Sequence, residues 1–130
     1  MLVVDSSAAV EAALSEAGFD LLSREDLAAP PLLLSETVSA IHELAWRGEI
    51  TAELARIALD RMLAAPVRTV RPRGLEREAW RVADDLGWAR TYDAEFVALA
   101  RILRCPLLTL DARLQRGASG IVRVVGPADL

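Results

Sequence analysis

The stretch "PLLTLDARL", residues 106 to 114, decides how the chain is read. Pro106, Leu107, Leu108, Thr109 and Leu110 have the look of a short buried strand, and the next residue is Asp111. The first residues, "MLVVDSS" at 1 to 7, repeat the pattern, with Leu2, Val3 and Val4 running into Asp5. A carboxylate directly after an apolar run has two readings. It caps the helix that follows, since Asp is a favoured N-cap. Alternatively it belongs to a site at the strand's carboxyl end.

Working outward, strands and helices alternate. "LVV" (2–4) is a strand, and Ala9, Val10, Ala13 and Leu14 have helical spacing from Ser6 to about residue 17, where Gly18 ends the run. A weak helical turn covers 19–23, and "DLAAP" (26–30) reads as a second strand. Leu34, Val38, Ile41 and Ala45 repeat at helical spacing over 31–47, and Gly48 stops them. "TAELARIALDRMLAA" (51–65) is a helix with Thr51 as its cap and Glu53 in its first turn. "VRTV" (67–70) alternates as a strand, Pro72 and Gly74 break the chain, and helices follow over 75–86 and 91–103. After the strand at 106–110 come a helical turn at 112–115 and a last strand, "IVRVVG" (121–126). Short apolar strands alternating with helices predict an α/β domain on a mostly parallel sheet. Right-handed crossovers line the strand carboxyl ends along one edge, where ligands of such sheets bind. Asp5 and Asp111 are therefore expected to project into one crevice.

The composition narrows the chemistry. The chain has 130 residues, which predicts one domain, 1–130, large enough for an ordinary core. No apolar run approaches the ~20 residues that span a bilayer. No basic region precedes an apolar stretch at the start, so no secretory signal is expected and a cytoplasmic protein is. The single cysteine, Cys105, excludes an internal disulfide and a cysteine-paired zinc site. The single histidine, His42, lacks a G-x-S-x-G elbow and reads as a helix-surface residue. All 15 basic residues are arginine. Without lysine a P-loop and a Schiff-base enzyme are excluded. So is a response-regulator receiver, and Ser7 stands where a haloacid-dehalogenase-type phosphatase needs a second Asp. The net charge of −4 argues against non-specific nucleic-acid binding. Yet Arg68, Arg71, Arg73, Arg77 and Arg81 fall within 67–81, which reads either as a solvated face or as an edge that contacts phosphates.

Two further acids need weighing. Asp93 falls on the apolar side of its helix with Phe96, Val97 and Ala100, where a carboxylate is costly unless paired or metal-bound. It also lies in the first turn, with Thr91 as a cap and the helix dipole in its favour. Glu36 lies off the arc of Leu34, Val38 and Ile41, near Glu43 and Arg47, so periodicity alone assigns it to a solvated face.

Taken together, "VVDSSAAV", "PPLLLSETVSAIHEL", "TYDAEFVALA" and "LLTLDARL" resemble, in order and spacing, the PIN-domain family. The likeness is strongest to its VapC-type toxin ribonucleases and covers nearly the whole chain. It implies a mostly parallel sheet of about five strands with helices on both faces, a three-layer arrangement. It maps the family's acids onto Asp5, Glu36, Asp93 and Asp111, with Thr109 and Ser7 as supporting hydroxyls. Ser39 stands where many members carry Asn. The resemblance implies a Mg²⁺-dependent endoribonuclease, with Mn²⁺ as a substitute. Its partners would be an RNA substrate, a small VapB-type antitoxin protein seated near residues 32–64, and a second copy in a homodimer.

The chemistry suits the residues. Two carboxylates ~4 Å apart at an effective dielectric near 20 repel by about 4 kcal/mol, so a cluster stays ionised only around a cation. Oxygen ligands select hard ions such as Mg²⁺ or Mn²⁺. Asp5, Asp93 and Asp111 are expected as metal ligands, and Glu36 as a further ligand or the group that positions the attacking water. Arg113, Arg71 and Arg73 are candidates for phosphate contacts. Trp46, Met62 and Leu63 are candidates for the antitoxin surface. Two alternatives remain: a housekeeping nuclease on the same fold, and a non-catalytic PIN-like binding module.

Overall fold

A computed structural model describes residues 1–130. Five strands form one fully parallel sheet: β1 (Leu2–Val4), β2 (Leu27–Ala29), β3 (Val67–Thr69), β4 (Leu107–Leu108) and β5 (Val124–Val125), in the order β3-β2-β1-β4-β5. The seven α-helices are α1 (Ser6–Leu14), α2 (Gly18–Leu21), α3 (Leu32–Trp46), α4 (Ala52–Leu63), α5 (Leu75–Leu86), α6 (Tyr92–Leu103) and α7 (Ala112–Ala118). A 3₁₀ turn, Pro127–Asp129, follows β5. No helix is long and apolar enough to cross a membrane.

The strand order decides where a ligand can sit. From β1 the chain steps outward through β2 to β3; from β3 it returns across the sheet to β4 and then steps to β5. Right-handed crossovers put the helices of the first half on one face and those of the second half on the other. The packing agrees: α1, α3 and α4 pack on one another, whereas α5 packs on α6 and α6 lies on β1 and β4. The direction of winding reverses between β1 and β4, so the crevice of this sheet opens at their carboxyl ends.

The core explains why these short strands form. Leu2, Val3, Val4, Leu107 and Leu108 are buried between the helical layers, with Phe96, Val97 and Leu99 of α6 packed on them. A strand buried on both faces needs a continuous apolar run, which "LVV" and "LL" supply.

Several boundaries differ from the sequence expectation. α1 ends at Leu14, and Gly18 opens α2 rather than ending α1. A Cβ on Gly18 would lie 2.0 Å from the Ala12 carbonyl oxygen, so glycine serves a close approach here. β4 and β5 are two residues each, shorter than the apolar runs that hold them, and α7 reaches Ala118 instead of ending at 115. The buried stripe of α3 is Leu33, Thr37 and Ile41, not an arc through Leu34, which is 41% exposed. Thr51 caps α4 through Leu54 N at 3.0 Å as expected. Thr91 stands at the N-cap of α6 but its side chain caps nothing.

Candidate active site

Asp5 is the first residue beyond β1 and is almost fully buried. Its Oδ1 accepts from Ser7 Oγ at 2.7 Å and from Ala8 N at 3.0 Å. Its Oδ2 accepts from the Thr109 hydroxyl, contributed by the end of β4. Asp5 is thus the N-cap of α1 and also part of a network that joins the two central strands. Thr109 Oγ1 in turn accepts from Asp111 N at 3.0 Å, and Ser7 Oγ accepts from Leu110 N at 3.0 Å. Ser7 and Thr109 thus hydrogen-bond Asp5, and Thr109 also accepts from the backbone of Asp111. Burial pushes the Asp5 carboxyl above the usual carboxylate range; its three hydrogen bonds pull the other way and the charge of Asp111 adds to the rise.

Asp111 caps α7, its Oδ1 accepting from Arg113 N at 2.9 Å and Leu114 N at 3.2 Å. Capping and site membership are not exclusive here: each strand-end acid holds a helix start with one oxygen, and the two lie close enough to repel.

Glu36 is a correction to the periodicity reading. It is half-buried on the side of α3 that carries Leu33, Thr37 and Ile41, and Ser6 Oγ donates to its Oε1 at 2.6 Å. Burial raises its carboxyl, and the charges of Asp93 and Asp5 raise it further. Asp93 reaches the cleft from the first turn of α6. It is not enclosed by the core; its side chain is 38% exposed and pairs with Arg113, whose Nη2 donates to Oδ2 at 2.6 Å.

The acids stand on two strand ends and two helices, near enough in pairs to feel one another's charge: Asp5 with Asp111, and Glu36 with Asp93 and Asp5. No three of them stand close enough to share one ion in the present side-chain arrangement. An oxygen-only donor set is the kind that suits a hard cation, and Asp5, Asp93 and Asp111 would have to draw closer together to hold one.

A cleft of about 440 Å³ is lined by two of these acids, Glu36 and Asp93, with Trp88, Arg90, Tyr92 and Arg113; Asp5 and Asp111 do not line it. Of the arginines proposed for phosphates, Arg113 is in it. Arg71 is outside, paired with Glu76 at 2.6 Å, though its charge reaches Glu95. Arg73 is exposed, and no contact links it to the acids. Sequence reasoning did not single out Ser6, Glu95, Trp88, Arg90 or Tyr92. Glu95 is raised mainly by burial, then by Glu76 and Glu36, which makes it a fifth acid near the cleft. Its position two residues beyond Asp93 was the only available signal.

Comparisons with known proteins agree with the fold. Residues 2–119 match the PIN domain family. The ribonuclease VapC9 of Mycobacterium tuberculosis (strain ATCC 25618 / H37Rv) is 37% identical over 115 residues, 88% of each chain. Among solved structures, PAE2754 from Pyrobaculum aerophilum superposes with a TM-score of 0.76 at 24% identity, covering 98% of this chain and 91% of that one. VapBC2 from Rickettsia felis, solved bound to a promoter DNA fragment, gives a TM-score of 0.66 at 12% identity over 96% and 97%.

Proposed function

The chain belongs to the PIN-domain family, and from that premise we propose that it is a Mg²⁺-dependent endoribonuclease, the toxin of a toxin–antitoxin pair. The observation that carries the reading is the placement of Asp5 and Asp111 at the carboxyl ends of the two strands that flank the winding reversal. Glu36 on α3 feels the charges of Asp5 and of Asp93 on α6.

We assign the roles on the hydrogen bonds that each acid makes. Asp5, fixed by three hydrogen bonds, is the rigid ligand; Asp111 is held by the α7 backbone; Asp93, paired with Arg113, is the third. A bound divalent cation supplies charge for the scissile phosphate and acidifies a water. Glu36, steadied by Ser6, is placed to accept a proton from the attacking water. Arg113 is the side chain best placed to meet phosphate oxygens. RNA as substrate rests on the activity named for the curated relatives, and an accessible single-stranded segment suits a shallow cleft.

An antitoxin partner is supported by the likeness to VapBC2. Its seat would be the outer side of α3 and α4, where Trp46 is 81% and Leu63 62% exposed; Met62 belongs to the core instead. A homodimer and a cytoplasmic location complete the proposal.

The test is expression without a partner, together with incubation of the purified protein with total RNA in Mg²⁺. Growth arrest and cleavage that Asp93→Asn and EDTA both abolish support the reading. Cleavage without growth arrest would indicate a housekeeping nuclease. Absence of cleavage over a range of RNAs, with metal bound, would indicate a binding module.

A further inference from the structure

Beside the acids, a chain of contacts begins at Gly117 in α7. A Cβ at that position would stand 2.9 Å from Cζ2 of Trp88, so glycine is what lets the indole lie against α7. The guanidinium of Arg113 lies over the same indole, with Cζ 5.8 Å from the ring centroid. From there it donates to Oδ2 of Asp93 at 2.6 Å. The Arg113 side chain is 62% exposed, so burial does not force this pose. Two attractions select it from the many open to an exposed arginine: the face of Trp88 and the charge of Asp93.

We infer that Arg113 is a positioning residue that serves as the resident counter-ion of Asp93 and yields that carboxylate to the divalent cation, while Trp88, seated on Gly117, keeps the released guanidinium at the mouth of the cleft. The inference rests on the metal-dependent reading of the acids and goes beyond it. A guanidinium and a divalent cation repel each other and draw on the same carboxylate, so binding of one weakens the other. As it stands, Asp93 Oδ2 is engaged by Arg113. Once released, Arg113 retains its contact with Trp88 and faces the place where phosphate would lie.

The experiment is a Mn²⁺ titration by calorimetry and by tryptophan emission, in a Trp46→Phe/Trp80→Phe background that leaves Trp88 as the only indole. Both replaced tryptophans are exposed, at 81% and 66%. Arg113→Gln is expected to bind Mn²⁺ roughly two- to fivefold more tightly than its parent, the range that an exposed ion pair is worth. Mn²⁺ is expected to change Trp88 emission in the parent and not in Arg113→Gln. Equal or weaker binding by Arg113→Gln, with Asp93→Asn still losing the metal, would overturn the inference and leave the metal site standing. Asp93→Asn binding as well as the parent would remove the metal reading and this inference with it.

Discussion

The hydroxyl of Thr109, the residue after β4, donates to Oδ2 of Asp5, the residue after β1, and so ties the two central strands at the ends that carry the acids. Both residues are buried. Thr109→Val removes the donor at nearly constant volume and leaves a buried carboxylate short of a partner. The cost is expected at about 1–3 kcal/mol, read from the urea midpoint. Thr109→Ser keeps the donor and is expected to lose clearly less. A loss for Thr109→Ser as large as that for Thr109→Val would mean that the methyl group matters as much as the hydroxyl.

Glu36 supplies a pH prediction. Its carboxyl is raised in the folded chain, chiefly by burial, so the fold binds that proton more tightly than the unfolded chain does. Ionising it as pH rises through the folded value therefore lowers stability, and its favourable contribution is complete only below the unfolded value. Without metal, Glu36→Gln is expected to match or exceed the wild type in stability at pH 7, since the amide can still accept from Ser6. That advantage should shrink as pH falls through the carboxylate range. A variant less stable at pH 7 and unchanged at low pH would reverse the sign.

Gly18 tests the packing of the first helical layer. Its missing Cβ would overlap the Ala12 backbone at 2.0 Å, so backbone has to move to admit one. Gly18→Ala is expected to destabilise by about 1–3 kcal/mol, whereas Gly120→Ala, with open space around it, should cost far less. Thermal unfolding of the two variants side by side decides it.

Trp46 tests the partner surface. The side chain is largely solvent-exposed, so Trp46→Ala should leave stability within about 0.5 kcal/mol. Affinity for the antitoxin should fall by about tenfold or more, as for an exposed aromatic anchor. Unchanged affinity by calorimetry would move the seat elsewhere.

How much of this was legible beforehand depended on where the signal lay. Asp5 and Asp111 were readable because an apolar run too short for anything but a buried strand ends on each, and the parallel topology then brings the ends together. Periodicity misplaces Glu36, which the family resemblance assigns to the acids, because Leu32, Leu33 and Leu34 are three apolar residues in a row and leave the phase of the wheel open; packing chose Leu33 and left Glu36 half-buried. Asp93 was placed on the right helix, but its partner Arg113 is 20 residues away and no local pattern announces the pair. Trp88, Arg90 and Tyr92 sit at or beside the α5–α6 connection, where periodicity carries no information. Gly18 carried the same signal as a helix stop, and only the approach of α2 to Ala12 distinguishes the two.

The measurement that bears most directly on the site is Mn²⁺ binding by calorimetry to the wild type, Asp5→Asn and Asp93→Asn, each checked for an intact fold by circular dichroism. It needs no knowledge of the RNA. Saturable binding to the wild type, lost in both variants, is the expected result and would place an acid from a strand end and an acid from α6 in one metal site. Binding of equal strength to all three proteins would contradict it, leaving Asp5 a helix cap and Asp93 an ion-pair partner and nothing more.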